Sequence, residues 1–177
     1  MILEKNSHHF DLFNWMLGAK PIRVLATGGT NVLTDRELLD NAQVLVEYEG
    51  GLRATLEVCL FAPYGGDCEI GAVGNLGRID TENQKLRLTH HRFDMPDRTE
   101  MQIADSLEDA NFVDSSGRID RGIRPQLEHF LDCCRTGETP LTDGESAKWS
   151  VALCLACLLY TSPSPRDAES SRMPSSA

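Results

Sequence analysis

The 177-residue sequence contains no long apolar run, and nothing in it approaches the ~18 consecutive apolar residues of a membrane span. Its first residues lack the basic-then-apolar pattern of a secretory signal. Positive charge is scarce: 17 Lys and Arg stand against 27 Asp and Glu, a net charge of −10. Nucleic acids and anionic membrane surfaces are therefore poor partners, because both are bound by cations that displace counterions. A disulfide framework is missing too. The six cysteines, at 59, 68, 133, 134, 154 and 157, have no regular spacing and read as reduced thiols of a cytoplasmic protein.

No set of four metal ligands converges. Cys154-x-x-Cys157 falls on an apolar helix, Cys133 and Cys134 face different sides of a helix, and His90-His91 sits at a strand end. No metal site is expected. The chain also lacks a GxGxxG fingerprint and a Walker loop. Gly71-x-x-Gly74-x-x-Gly77 has a different spacing and runs into the strand-like RIDTE, so it reads as a hairpin turn rather than a phosphate cradle.

What is present fits a globular domain: 41% hydrophobic and 25% charged residues. A chain of ~150 residues suffices for a sizeable core. Apolar groups at Phe10, Leu12, Phe13, Met16 and Leu17 predict a helix over 8–18, closed by Gly18. A strand is expected over 22–27, then a polar loop at 30–41 with a short turn of helix. Residues 42–49 and 52–61 alternate apolar and polar on either side of Gly50-Gly51, the pattern of an antiparallel hairpin. A second hairpin is expected over 68–82 and a short strand over 85–89. Residues 94–122 hold eight acidic residues and few large apolar ones, and read as a long surface excursion. Two helices follow. One, over 125–136, is expected to bury Leu127, Phe130 and Leu131. The other, over 143–156, starts at Asp143 and is expected to bury Trp149, Val151, Leu153 and Leu155. Segregated strands and helices predict an α+β fold: a large, open, mostly antiparallel sheet with helices packed on one face.

Both ends look cut. Residues 157–177 include six Ser and three Pro, and CLLYTSPSPRD reads as a translated sequencing adapter. This segment is expected to be a disordered tail outside the fold, which leaves the domain at 1–156. At the other end, dense chemistry begins almost at once, with Glu4, Lys5, Asn6, Ser7, His8, His9 and Asp11. Termini fray, so Met1 reads as an internal methionine of a longer protein.

In that first segment, Glu4 and His8 are four apart, and His8 and Asp11 three apart. On a helix each pair shares a face. A carboxylate beside an imidazole can fix the tautomer of a histidine that moves a proton near neutral pH. The same spacing equally describes a helix start dressed with polar residues, with Asn6 or Ser7 capping and Asp11 near the positive end of the dipole.

The string MILEKNSHHFDLFNWMLGAKPIRVLATGG resembles the start of the second domain of the Gfo/Idh/MocA oxidoreductases. DNAQVLVEYEGGLRATLEVCLF, EIGAVGNLGRID and QLEHFLDCCRTGETPLTDG continue the resemblance in the same order, over residues 1–156. It implies the substrate and oligomerisation half of a two-domain enzyme, with an NAD- or NADP-binding Rossmann domain that would precede Met1. It also implies hydride transfer between nicotinamide and a sugar, polyol or related hydroxy compound, and a homo-oligomer formed through the open sheet. His8 falls where the family's sugar dehydrogenases carry a catalytic histidine, with Glu4 and Asp11 as its carboxylates and Lys5 as a substrate contact. The fragment alone is expected to bind no cofactor and to be inactive. The alternative expectation is a non-catalytic binding or oligomerisation module.

Overall fold

The computed structural model describes residues 2–36, 38–62, 69–82, 87–94, 99–102 and 123–161. The chain forms two compact units, Met1–Tyr64 with Leu141–Ala177, and Gly65–Pro140.

The first unit opens with a π-helical turn, Ile2–Asn6, which runs into helix α1, Ser7–Leu17. Gly18, in the left-handed region at φ 58°, ends α1, and its N–H donates to the Asn14 carbonyl at 3.0 Å. Three antiparallel strands follow in the order β1 (Pro21–Gly29), β2 (Asn41–Tyr48) and β3 (Arg53–Cys59). Alternation sends Ala42, Val44, Val46 and Tyr48 of β2 to one face, where all four are buried. Val24 lies opposite Val46, and Leu56 opposite Val44, so neighbouring strands extend the same apolar face. Phe10 of α1 and Leu153, Cys154 and Cys157 of helix α3 (Gly144–Thr161) complete the core against it. Each fully buried Val, Leu or Phe contributes about 1.5–3 kcal/mol of transfer free energy. The opposite sheet face is open. There Glu47 receives both nitrogens of Arg23 at 2.8 Å, and Leu25 stays half exposed.

Two expectations for α3 need correction. The helix does not stop at 156: it runs to Thr161, and Cys157 is fully buried, so the domain's last helix includes residues assigned to the tail. Residues 162–177 lie outside the described residues. Val151 and Leu155 are 42% and 50% exposed, whereas Ser150, Leu153, Cys154 and Cys157 are buried. Those four recur at helical spacing, and the small ones among them let α3 approach closely. A helix that is apolar nearly all round gives no periodic signal of which side faces in.

The second unit carries the antiparallel strands β4 (Gly71–Gly74), β5 (Gly77–Glu82), β6 (Arg87–Arg92) and β7 (Thr99–Gln102), hydrogen-bonded in that order. Helix α2, Ile123–Thr136, also belongs to it. The described strands thus form sheets of three and four rather than one continuous sheet. β7 falls in the stretch expected to be a surface excursion. Its backbone pairs with β6, Leu88 opposite Met101, which a polar and acidic sequence does not advertise. The remainder, 103–122, is outside the described residues. His90 and His91 lie inside β6 and not at its end. Helix α2 forms as expected, but Leu127, Phe130 and Leu131 are 56%, 54% and 50% exposed and Cys133 is its buried residue. Periodicity identifies the apolar stripe without saying what covers it.

Candidate active site

The turn that starts the chain sets the site. A π-helical turn is wider than an α-helical one, with backbone hydrogen bonds from i to i+5, so the i,i+4 alignment expected of an α-helix is not kept through it. Glu4, Lys5 and His8 are all exposed, while Asn6 between them is buried. Asn6 Nδ2 lies 3.5 Å from His9 Nδ1. Its Oδ1 is buried without a hydrogen-bond partner among the described residues. π-Turns and unsatisfied buried polar atoms both concentrate at functional sites.

The two histidines differ. His9 is half-buried; desolvation, and next the neighbouring His8, lower its pKa, against a hydrogen bond to the Lys5 backbone that raises it. It therefore stays uncharged near pH 7. His8 is exposed and lines a cleft of about 870 Å³ between the α1 face and the start of α3.

Asp11 lines the same cleft, one helical turn beyond His8, together with Trp15, Lys20, Glu49 and Trp149. Glu4 and Lys5 do not line it. Of the four residues expected at the site, the structure brings His8 and Asp11 together and leaves Glu4 and Lys5 on the exposed surface of the preceding turn. The start of α3 is held by Asp143, whose Oδ1 accepts the Ser146 N–H at 2.8 Å. That bond, ahead of the others, keeps the Asp143 carboxyl below the ordinary range.

Behind the cleft lies a chain of polar contacts that no local pattern announces. Tyr48 O–H donates to Asn14 Oδ1 at 3.0 Å, Asn14 Nδ2 to Ser150 Oγ at 3.5 Å, and Ser150 Oγ to Asp11 Oδ1 at 3.2 Å. Tyr48 is fully buried, and desolvation pushes its phenol up to about 12, so it keeps its proton. The members of this chain come from α1, β2 and α3, and the sequence reading singled out only Asp11 among them.

The described residues hold no cluster of three or more His, Cys, Asp or Glu suited to a metal ion. No described helix is long and apolar enough to cross a membrane. The glycine run on β4 and β5 does not have the geometry of a dinucleotide loop either. Gly71, Gly74 and Gly77 sit on the β4–β5 hairpin, and a strand rather than a helix N-terminus follows them.

Residues 1–163 match the family model described as "Oxidoreductase family, C-terminal alpha/beta domain". The chain belongs to the Gfo/Idh/MocA oxidoreductase family and is its C-terminal domain. Among characterised relatives it is similar to myo-inositol 2-dehydrogenase of Thermotoga maritima, 25% identical over 158 residues, 86% of this chain and 44% of that one. It is likewise 25% identical over 146 residues to scyllo-inositol 2-dehydrogenase (NAD(+)) of Bacillus subtilis, 80% of this chain and 39% of the relative. The chain thus spans less than half the length of these relatives. An oxidoreductase of Agrobacterium radiobacter, solved with NAD+, L-tartaric acid and magnesium, superposes with a TM-score of 0.75. That match covers 90% of this chain and 46% of the solved one at 19% identity, a likeness of fold.

Proposed function

We propose that this Gfo/Idh/MocA C-terminal domain is the substrate-binding half of an NAD(P)-dependent oxidoreductase that acts on a sugar, polyol or related hydroxy compound. The observation that carries the reading is the cleft that pairs His8 with Asp11 in a domain of this family. The inositol dehydrogenases among its relatives favour a polyol. So does the lining: the indoles of Trp15 and Trp149 suit apolar C–H faces, and Asp11 and Glu49 can accept hydrogen bonds from hydroxyls. Carboxylates on this wall disfavour an anionic substrate.

Oxidising a carbinol requires its hydroxyl proton to leave. His8 is placed to accept that proton in its neutral form, with Asp11 one turn away to orient it. Nicotinamide, when bound, supplies the hydride acceptor, and we assign its binding to a Rossmann domain outside this chain. Glu4 and Lys5, exposed on the π-turn, would face substrate only once that second domain is in place. The reading of a free-standing module without catalysis has no relative behind it, since the characterised matches quoted above are dehydrogenases.

The test is an assay of the full-length protein with NAD+ and NADP+ against inositols, aldoses and hydroxy acids, following reduced nicotinamide. Turnover of neutral polyols is expected; turnover of hydroxy acids alone would overturn the substrate class. We also assign self-association to the open face around Leu25, Leu45 and Thr55, which lie side by side on β1, β2 and β3. Sedimentation should show concentration-dependent association, and a monodisperse monomer at high concentration contradicts it.

A further inference from the structure

We infer that Ser150 is a positioning residue for Asp11, the last member of a one-way hydrogen-bond chain that starts at Tyr48. The inference rests on the cleft being the active site.

Ser150 is 3% exposed and sits well inside α3. A serine there ordinarily turns its hydroxyl back to the carbonyl four residues earlier. That acceptor, the Ser146 carbonyl, lies 3.4 Å away. Asp11 Oδ1 is nearer, at 3.2 Å, and a carboxylate is a stronger acceptor than an amide carbonyl for the single hydroxyl proton. With its proton committed to Asp11, Ser150 Oγ has lone pairs free for Asn14 Nδ2 at 3.5 Å. Asn14 Oδ1 in turn takes the Tyr48 proton at 3.0 Å.

The direction is what matters. Rotating the Asn14 amide by half a turn would point its carbonyl at Ser150 and draw the hydroxyl proton away from Asp11. The carboxylate would then lose its donor, so its charge selects the observed order. Each donor polarises the next, and the chain is anchored at the fully buried Tyr48. Asp11 is the only member that is both charged and on the cleft wall beside His8. The chain therefore fixes the carboxylate in one orientation before substrate arrives, a supporting role that loosely held sites lack. Ser150 comes from a segment 139 residues away from Asp11, so α3 and α1 must dock correctly for the brace to form.

Two measurements test this. In the full-length protein, Ser150→Ala should lower kcat by about tenfold, as losing an outer-shell partner does, with KM changed far less. Ser150→Thr, which keeps the hydroxyl, should recover most of that loss. In an Asp11→Asn background, Ser150→Ala should cost almost nothing further, because the brace has lost its charged target. Equal losses in both backgrounds would show a merely structural role and overturn the inference. In the 177-residue chain, the ¹³Cγ resonance of Asp11 should shift on Ser150→Ala and on Tyr48→Phe. An unmoved resonance overturns the hydrogen bond itself. A full-length rate unaffected by Asp11→Asn overturns the active-site reading instead, whatever the resonance does.

Discussion

The buried carboxylate of Asp40 accepts the backbone N–H of Leu33 at 2.7 Å, across the loop that joins β1 to β2. The N–H groups of Val32 and Asn31 and the side chain of Asn41 converge on the same carboxylate at 2.7, 3.0 and 2.7 Å. The loop expected to hold a turn of helix is thus wound around an anion. Burial alone would raise the Asp40 pKa, but these donors outweigh it and hold it at about 2.

Stability should follow from that shift. Above the unfolded value of about 3.9, both states are ionised and the clamp contributes in full. Below it the unfolded chain takes up a proton that the folded chain refuses, so the contribution fades as pH falls and is gone below about 2. Asp40→Asn should lower the urea midpoint clearly at pH 6, and the two midpoints should converge as pH falls from 4 towards 2. A gap independent of pH would mean the carboxylate charge is not what holds the loop.

His8 and His9 offer a paired test of the site. His8→Ala in the full-length protein should cost about 10²–10⁴-fold in turnover, the range for a lost general base, and leave the melting temperature near its original value. His9→Ala removes a half-buried ring beside Asn6 and should do the reverse, lowering the melting temperature more than the rate. Rates and melting curves of the two variants, measured side by side, would expose a wrong assignment. An unchanged rate for His8→Ala removes it from the chemistry.

The same contrast explains what could be read from residues alone. The β2–β3 hairpin was legible because alternation and Gly50-Gly51 are local signals, but its connection is the three-residue turn Glu49–Gly51, so Leu45 pairs with Thr55 rather than with Leu56 as a two-residue Gly-Gly turn would set. His8 and Asp11 were legible because three-residue spacing on a helix forces a shared face. The π-turn before α1 was not, and Glu4, which lies in it, does not line the cleft. Ser150 and Tyr48 were not either: their roles depend on contacts between segments more than thirty residues apart, and each looks like an ordinary helix or strand residue in isolation. In α3, uniform apolarity concealed the inward face, and only docking decided that Cys154 and Cys157 point in and Leu155 out.

Two glycines of the first sheet should resist substitution for different reasons. At Gly28 a Cβ would lie 2.5 Å from the Asn41 carbonyl oxygen on β2, a backbone atom that cannot step aside without disturbing the ladder. Gly28→Ala should cost about 1–3 kcal/mol, as overpacking does. At Gly50 nothing lies within 4 Å of that Cβ, but φ is +76°. Gly50→Ala should cost about 1–2 kcal/mol from backbone strain alone, and Gly50→Asn less, since asparagine tolerates this region. Urea unfolding of the three variants gives the ordering, and a Gly50→Asn protein no better than Gly50→Ala would contradict the conformational account.

The cysteines should separate by depth. Cys59 and Cys134 are exposed, whereas Cys133, Cys154 and Cys157 are buried. Thiolate is the reactive form, so burial suppresses reaction twice, by blocking access and by opposing ionisation. Desolvation, with Cys154 nearby, pushes Cys157 up to about 12, and burial raises Cys154 as well. Cys154 also donates its S–H to the Ile2 carbonyl at 3.4 Å, which ties the chain's first turn to its last helix. Alkylation with iodoacetamide at pH 8, read site by site by mass spectrometry, should label Cys59 and Cys134 within minutes. Cys154 and Cys157 should react only at the rate of unfolding, and adding urea should bring them up together. Rapid labelling of Cys157 in the native protein would place it outside the core and restore the domain boundary at 156.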